Sequence, residues 1–250
     1  MSEHIQVTRR DAINVIRINR ADKKNALTFV MYAAMAAALR AGDADDAVRV
    51  HVVLGIPGAF SAGNDLADFV TMAEDPGAGV EIFDFLQALA VTKKPIVSGV
   101  DGIAVGVGTT LHLHCDLTFA TPCTQFRTPF VDLGIVPEAA SSLLVPATLG
   151  HQPAFALLVM GDALSAEDAK QGGLIHAVVS EDELEPAVFA AAERLASKPA
   201  NALRIARELI RGSRQAVLER INEEAEAVRA GLQSDEARAA FAAFLNKKKG

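Results

Sequence analysis

The chain has no tryptophan and one tyrosine, and aromatic residues make up only 5% of its 250 positions. A core with few large rings is filled mainly by aliphatic and small side chains, which lets helices pack closely. Cysteine is scarce too. Cys115 and Cys123 alone make neither a disulfide framework nor a four-ligand zinc pattern. Long apolar runs are missing: none approaches the roughly 18 residues of a membrane span. Met1 to Arg10 holds charges rather than the apolar segment of a signal peptide. Positive charge is in deficit, with 24 Lys and Arg against 31 Asp and Glu, a formal net charge of −7. Phosphate contacts need a basic surface, so a nucleic-acid partner is not expected. These absences together lead us to expect a cytoplasmic protein with neither membrane nor nucleic-acid partner.

What is present is a large apolar fraction, 50% hydrophobic and 22% charged, enough for one sizeable core. Ile5 to Thr8 and Ile13 to Ile18 alternate as two strands joined by a short turn, a hairpin. Thr28 is placed to cap an Ala-rich helix running to about Ala41. Val50 to Leu54 reads as a strand buried on both faces, Gly55 to Gly63 as a loop, and Asp65-Leu66 as a helix start. A helix from Val80 to Leu89 precedes a strand from Pro95 to Val100, a glycine-rich turn from Gly102 to Gly108, the apolar run Thr109 to His114, and a strand from Asp116 to Ala120. From Ala139 on, helical spacing dominates, interrupted only by a strand at Ile175 to Val179. The natural division is an α/β core over 1–195 and a helical extension over 196–250.

Two turns carry candidate chemistry. Phe60-Ser61-Ala62-Gly63-Asn64-Asp65-Leu66 delivers small residues to a helix start, where backbone N–H groups lack intrahelical partners. Taken alone, it reads more readily as an ordinary helix cap. Asp101 to Gly108 sits in the same strand-to-helix context. As a dinucleotide fingerprint it fails, because Leu111 takes the third glycine position and no acidic residue follows about 20 positions on. Two such turns aimed at one oxygen would make an oxyanion hole. Lys23-Lys24, Lys93-Lys94 and Lys247 to Lys249 are solvated surface or contacts for a phosphorylated small molecule. His112 and His114 are two apart, on different sides of a helix, so no metal site is expected.

The run Arg20 to Leu27, then Phe60 to Leu66, then Gly102 to Asp116, resembles the enoyl-CoA hydratase/isomerase (crotonase) superfamily in order and spacing. Gly161 to Ala169, Gly173-Leu174-Ile175 and Phe244 to Lys247 extend the likeness over nearly the whole chain. The resemblance implies an α/β fold of the ClpP/crotonase type, a spiral of ββα units with C-terminal helices that trimerise, as a homotrimer or a dimer of trimers. It places the N–H groups of Asn64 and Val107 at the oxyanion hole, and Ala26, Ala62, Asp65, Leu66, Phe244 and Lys247 along the coenzyme A. The expected partner is an acyl-CoA thioester, with no cofactor beyond the coenzyme A of the substrate.

Hydratases of this superfamily use two glutamates, and those positions hold Thr110 and Phe130 here. Thr and Phe cannot supply the acid–base pair that adds water to a double bond. Leu133 to Ser142, with Glu138, is similar instead to the segment of peroxisomal-type Δ3,Δ2-enoyl-CoA isomerases that carries one catalytic glutamate. Glu138 would then take a proton from C2 and return it at C4. A bare first-turn anion favoured by a helix dipole is the competing reading of Glu138. Asp65 and Asp132 are fallback acids, and Thr110 or Asp132 could assist. Hydratase or other lyase and hydrolase chemistry, and a non-catalytic acyl-CoA-binding protein, are the alternatives.

Overall fold

The computed structural model describes residues 2–75 and 77–247, apart from the side chains at 241–242 and 244–247. The chain opens with the expected hairpin: β1 (Ile5–Arg10) pairs antiparallel with β2 (Ile13–Ile18). α1 (Phe29–Ala44) follows, capped by the Thr28 side chain, which accepts from the Met31 N–H at 3.4 Å.

Thereafter a unit of two strands and a helix recurs. It comprises β3 (Val50–Leu54) and β4 (Ala59–Ser61) with α2 (Leu66–Glu74) and α3 (Val80–Val91), then β5 (Ile96–Val100) and β6 (Ile103–Val105) with α4 (Val107–Thr110). The last is β7 (Leu117–Ala120) and β8 (Gln125–Arg127), followed by α5 (Ser141–Leu149) and α6 (His151–Leu158). The chain continues through β9 (Leu164–Ser165), α7 (Ala166–Gln171), β10 (Ala177–Val178), α8 (Glu181–Ala196), α9 (Ala200–Arg211), α10 (Gln215–Leu232) and α11 (Asp235–Lys247). The first strand of each unit joins a six-stranded sheet of order β1-β2-β3-β5-β7-β10, and the second a four-stranded sheet of order β4-β6-β8-β9. This is the spiral of ββα units that the resemblance implies.

The second sheet was not expected from the pattern of residues. β4, β6 and β8 are three residues each. That is too short for a period-two signal, and β4 and β6 fall where Gly and Ala read as loop and turn. The strand at Ile175 to Val179 shrinks to Ala177–Val178. The apolar run after Gly108 becomes the short α4 and a 3-10 turn, Leu111–His114.

The long strands are buried on both faces, as continuous apolar runs in a parallel sheet require. Ile13, Val15, Val50, Val52, Leu54 and Val97 face Leu184, Val188 and Ala192 of α8. Ile16, Ile18, Val53, Ile96 and Val100 face the larger core with α1 and α3. The C-terminal helices share that core. Val217, Ile221, Ala225, Val228 and Leu232 of α10 form an apolar stripe inside it. α9 is tied down by Arg207, whose Nε lies 2.9 Å from both carboxylate oxygens of Asp116 and whose Nη1 donates to Thr92 O at 2.6 Å.

One buried carboxamide holds the entrance to the first unit. Lys24 and Asn25 both adopt the left-handed backbone, at φ 48 and 57, a conformation Asn tolerates better than most residues. Asn25 Nδ2 donates to Ile18 O, Ala59 O and Phe60 O at 3.0, 3.0 and 3.1 Å, and its Oδ1 accepts from the Arg20 N–H at 2.7 Å. The Ser61 hydroxyl donates to Asn25 O at 2.8 Å and accepts from the Gly63 N–H at 3.1 Å. The tether thus runs from the end of β2 to the turn after β4. Replacing Asn25 with Ala strands these carbonyls, so Asn25→Ala should lose about 2–4 kcal/mol of stability. Urea unfolding checks this; a loss under about 0.5 kcal/mol, the low end for one net hydrogen bond, would mean that other groups hold the turn.

Candidate active site

β4 and β6 are parallel neighbours, with Ala59 opposite Ile103 and Ser61 opposite Ala104. Their C-terminal ends therefore release two turns side by side, Ala62 to Asn64 and Gly106 to Val107. The turns touch backbone to backbone. A Cβ on Gly63 would lie 3.0 Å from Val105 O, and one on Gly108 would lie 2.8 Å from Ser61 O. Gly63 and Gly106 also need positive φ, 87 and 57, which costs an L side chain strain.

The hydrogen bonds of the first turn leave one donor over. The Leu27 N–H donates to Gly63 O, and the Asp65 N–H to Leu27 O, both at 2.8 Å. These bonds bracket Asn64 and turn its own N–H to the other side of the strand. In the second turn the Gly106 N–H donates to Arg127 O at 2.8 Å, and the bonds resume with the Thr109 N–H to Gly106 O. Among the described residues, neither the Asn64 N–H nor the Val107 N–H has an acceptor. The β-branched Val107 is accommodated because its side chain is wholly buried in the core.

Glu138 lies on the stretch that enters α5. It is 6% exposed, and its Oε1 is buried without a hydrogen-bond partner. Burial first, and the charge of Glu224 second, push its carboxyl up to about 8 from 4.5. The backbone after it is strained: Ala139 and Ala140 are left-handed at φ 63 and 56, a conformation that persists in such residues only where the surroundings hold it. His114 Nε2 binds Ala139 O at 2.9 Å, and burial lowers that imidazole to about 4, so it donates as a neutral ring.

Tyr32 of α1 joins these parts, and nothing local in the sequence announced it. Its ring is fully buried against Phe85 of α3. Its hydroxyl donates to Asn64 Oδ1. Burial, then the charges of Glu138 and Asp68, raise the phenol well above its ordinary value. The residue bonded to Asn64 is therefore the one that feels Glu138. Glu224 was also missed. Its signal was a carboxylate inside an apolar stripe, three residues after Ile221 and four before Val228.

The remaining candidates sort by their partners. Thr110 is buried with an unpartnered Oγ1, and Phe130 is buried with its Cε1 4.0 Å from where a Cβ on Gly106 would be. Both hydratase-acid positions are thus occupied by groups that carry no charge. The Asp132 side chain is 55% exposed and lies 3.9 Å from Arg127. Asp65 caps α2 through the Ala67 N–H at 2.9 Å and pairs with Arg20 at 2.6 Å, and these bonds hold its carboxyl below the usual range despite burial. Ala26, Ala62, Asp65 and Leu66 are half-buried along one edge, where the Ala62 N–H donates to Lys24 O at 2.9 Å, with Lys23 and Lys24 exposed beside them. The side chains of Phe244 and Lys247 lie outside the described residues. His112 binds Ser98 Oγ at 3.0 Å, away from the bond His114 makes.

The Glu138 shift has a thermodynamic consequence. Between pH 4.5 and about 8 the folded chain holds a proton on this carboxyl that the unfolded chain has released. Stability contributed by that proton is complete at the acid end and is lost as pH rises through about 8. Glu138→Gln, uncharged at every pH, should therefore melt higher than the wild type above pH 8 and lose that margin below 4.5. Thermal melts at both ends decide it; a margin independent of pH would mean that the carboxyl is not desolvated.

Comparison with known proteins gives the family. The family model described as Enoyl-CoA hydratase/isomerase matches residues 8–250. Enoyl-CoA delta isomerase 2 of Rattus norvegicus is 36% identical over 99% of this chain, and the chain spans 64% of that protein's length. The 1,2-epoxyphenylacetyl-CoA isomerase of Escherichia coli K12 is 30% identical over 99% of this chain and 97% of its own. Other relatives are named as enoyl-CoA hydratases. The solved structure of Pseudomonas aeruginosa OdaA superposes with a TM-score of 0.93 at 38% identity, covering 97% of this chain and 99% of that one. With the fold, the two glycine-lined turns and a family match over almost its full length, the chain belongs to the enoyl-CoA hydratase/isomerase family.

Proposed function

We propose that the protein moves the double bond of an enoyl-CoA thioester from C3 to C2. The observation that carries this reading is Glu138: an unpaired buried carboxyl, with the positions of the two hydratase acids held by Thr110 and Phe130. Adding water requires an acid and a base together, whereas shifting a double bond requires one group that takes a proton and returns it. In this reading the thioester oxygen sits between the N–H groups of Asn64 and Val107. Ionised Glu138 removes a proton from C2, and the C2 electrons move onto the thioester as a dienolate. The two N–H donors hold the developing negative charge, a contribution worth about 3 kcal/mol for each. The protonated Glu138 then delivers its proton to C4, so that the C2–C3 double bond forms and the carboxylate is regenerated. Phe130 keeps an apolar wall by the Gly106 turn. Ala26, Ala62 and Leu66 offer a small-residue edge to the coenzyme A, with Lys23 and Lys24 near its phosphates.

The names of the relatives include isomerases and support the same reading. Purified protein assayed on 3-enoyl-CoA and 2-enoyl-CoA side by side tests it. Isomerisation should be the faster reaction, with kcat/KM rising with pH through about 8 as the base ionises. Glu138→Gln should keep acyl-CoA affinity and slow isomerisation by about 10²–10⁴-fold. Turnover of 2-enoyl-CoA alone would identify a hydratase, and tight binding without turnover a non-catalytic acyl-CoA protein.

The same reading includes assembly as a homotrimer or dimer of trimers. α9 leaves Ile205, Leu209 and Ile210 at 41%, 79% and 86% exposure, an apolar cost that a neighbouring subunit would remove. Light scattering should return a mass of three or six chains; a monodisperse monomer would refute it.

A further inference from the structure

We propose that Glu224 of α10 is a positioning residue for Glu138, holding the strained turn that aims the base and bringing a second carboxylate to it. The inference rests on the reading of Glu138 as the base and adds to it a group some 86 residues further along the chain, Glu224.

The geometry is that of a cap supplied from another helix. The N-cap position of α5 is Ala140, which has no side chain to offer its own helix. Glu224 takes that role. Its Oε2 accepts the Ala140 N–H at 2.6 Å, and its Oε1 accepts the Ser142 N–H at 3.0 Å and the Ser142 hydroxyl at 2.5 Å. Arg220, one helical turn earlier on α10, donates to the same hydroxyl at 3.0 Å. The left-handed pair Ala139 and Ala140 lies between this clamp and Glu138. Removing the clamp frees the turn to relax to ordinary backbone angles, and the Glu138 carboxyl moves with it.

Charge is the second half of the device. The charged and titratable groups coupled to Glu138 are Glu224 from α10 and the Tyr32 phenol from α1; neutral His114 of the 3-10 segment binds the next residue's carbonyl, Ala139 O. Burial raises the Glu224 carboxyl above its ordinary value, and the three donors from Ala140 and Ser142, with Arg220, oppose that rise. Unpartnered Glu138 has no such support, so of the two acids it is the one that carries the proton at neutral pH. A negative charge at 224 makes Glu138 a stronger base than burial alone would.

The test compares wild type, Glu224→Gln, Glu224→Asp and Glu138→Gln. Gln removes the charge and can satisfy only part of the clamp; Asp keeps the charge on a shorter arm. Titration of ¹³C-carboxyl-labelled glutamate, with the Glu138 resonance assigned by its loss in Glu138→Gln, reads the base whether or not there is turnover. In Glu224→Gln that resonance should titrate at lower pH than the wild type's, and the acid limb of the kcat/KM profile should move with it. Isomerisation should fall by about 10–100-fold, by analogy with the loss when a partner that orients a metal ligand is removed. Glu224→Asp should lower kcat while leaving the limb near its wild-type pH. If Glu224→Gln does not fold, wild-type kcat in Glu224→Asp overturns the proposal. An unmoved Glu138 titration in folded Glu224→Gln also overturns it, even if kcat and melting temperature both fall, because that is what a merely structural role gives. Wild-type turnover in Glu138→Gln would instead remove the reading of Glu138 as the base, an outcome distinct from either.

Discussion

Two stretches of backbone meet with no side chain between them, and the rest of the site is arranged around that contact. Gly63 lies against Val105 and Gly106, and Gly108 against the carbonyl of Ser61. Because β4 and β6 run parallel, their turns leave in the same direction, and the absence of Cβ atoms brings them together. Each turn keeps one donor out of the bonding of its own segment. Asn25 holds the first turn from below, through the Ser61 hydroxyl. Arg127 holds the second by accepting the Gly106 N–H. Rigid support of this kind matters because donors that must reorganise to meet a developing charge lose much of their benefit.

Around this contact the protein accepts local costs. A buried polar group without a partner costs about 1–3 kcal/mol, and Thr110 Oγ1, Ser141 Oγ and Glu138 Oε1 are all in that state. The left-handed Ala139 and Ala140 add about 1–2 kcal/mol each. The two-sided burial of the long strands and the α10 stripe offset these terms. None of the costs lies in the second core cluster, where β2, β3 and β5 pack on α8. The left-handed pair and the unmet Glu138 carboxyl fall where chemistry is proposed, while further unpartnered buried atoms lie on His112, His114, Arg207, Arg211, Arg214 and Arg229.

Legibility in the sequence followed distance along the chain. Asn64, Val107 and Glu138 were singled out by the resemblance of their stretches to the superfamily; from its own few residues each turn reads as a helix cap and Glu138 as a first-turn anion. The long strands announced themselves through runs such as Val50 to Leu54. The three-residue strands did not, since pairing with a neighbour, not composition, makes them strands. Tyr32 and Glu224 were invisible for a related reason. The contact of Tyr32 with Asn64 spans 32 positions, and that of Glu224 with Ala140 spans 84. A single sequence carries no mark of which distant residue will fill a given cap. The stripe of α10 held the one hint, an acid where its neighbours are apolar.

That long reach orders events during synthesis. A ribosome releases the residues of both glycine turns and of Glu138 well before it has polymerised Glu224, which follows Ala140 by 84 positions. Until then the Ala140 and Ser142 N–H groups have only water to bind, and the helix they begin lacks its cap. The nascent polypeptide therefore holds every reacting group of the proposed mechanism without the clamp that aims one of them. On the proposed reading, completion of α10 is the step that supplies the clamp, so a polypeptide whose translation stops early would lack it.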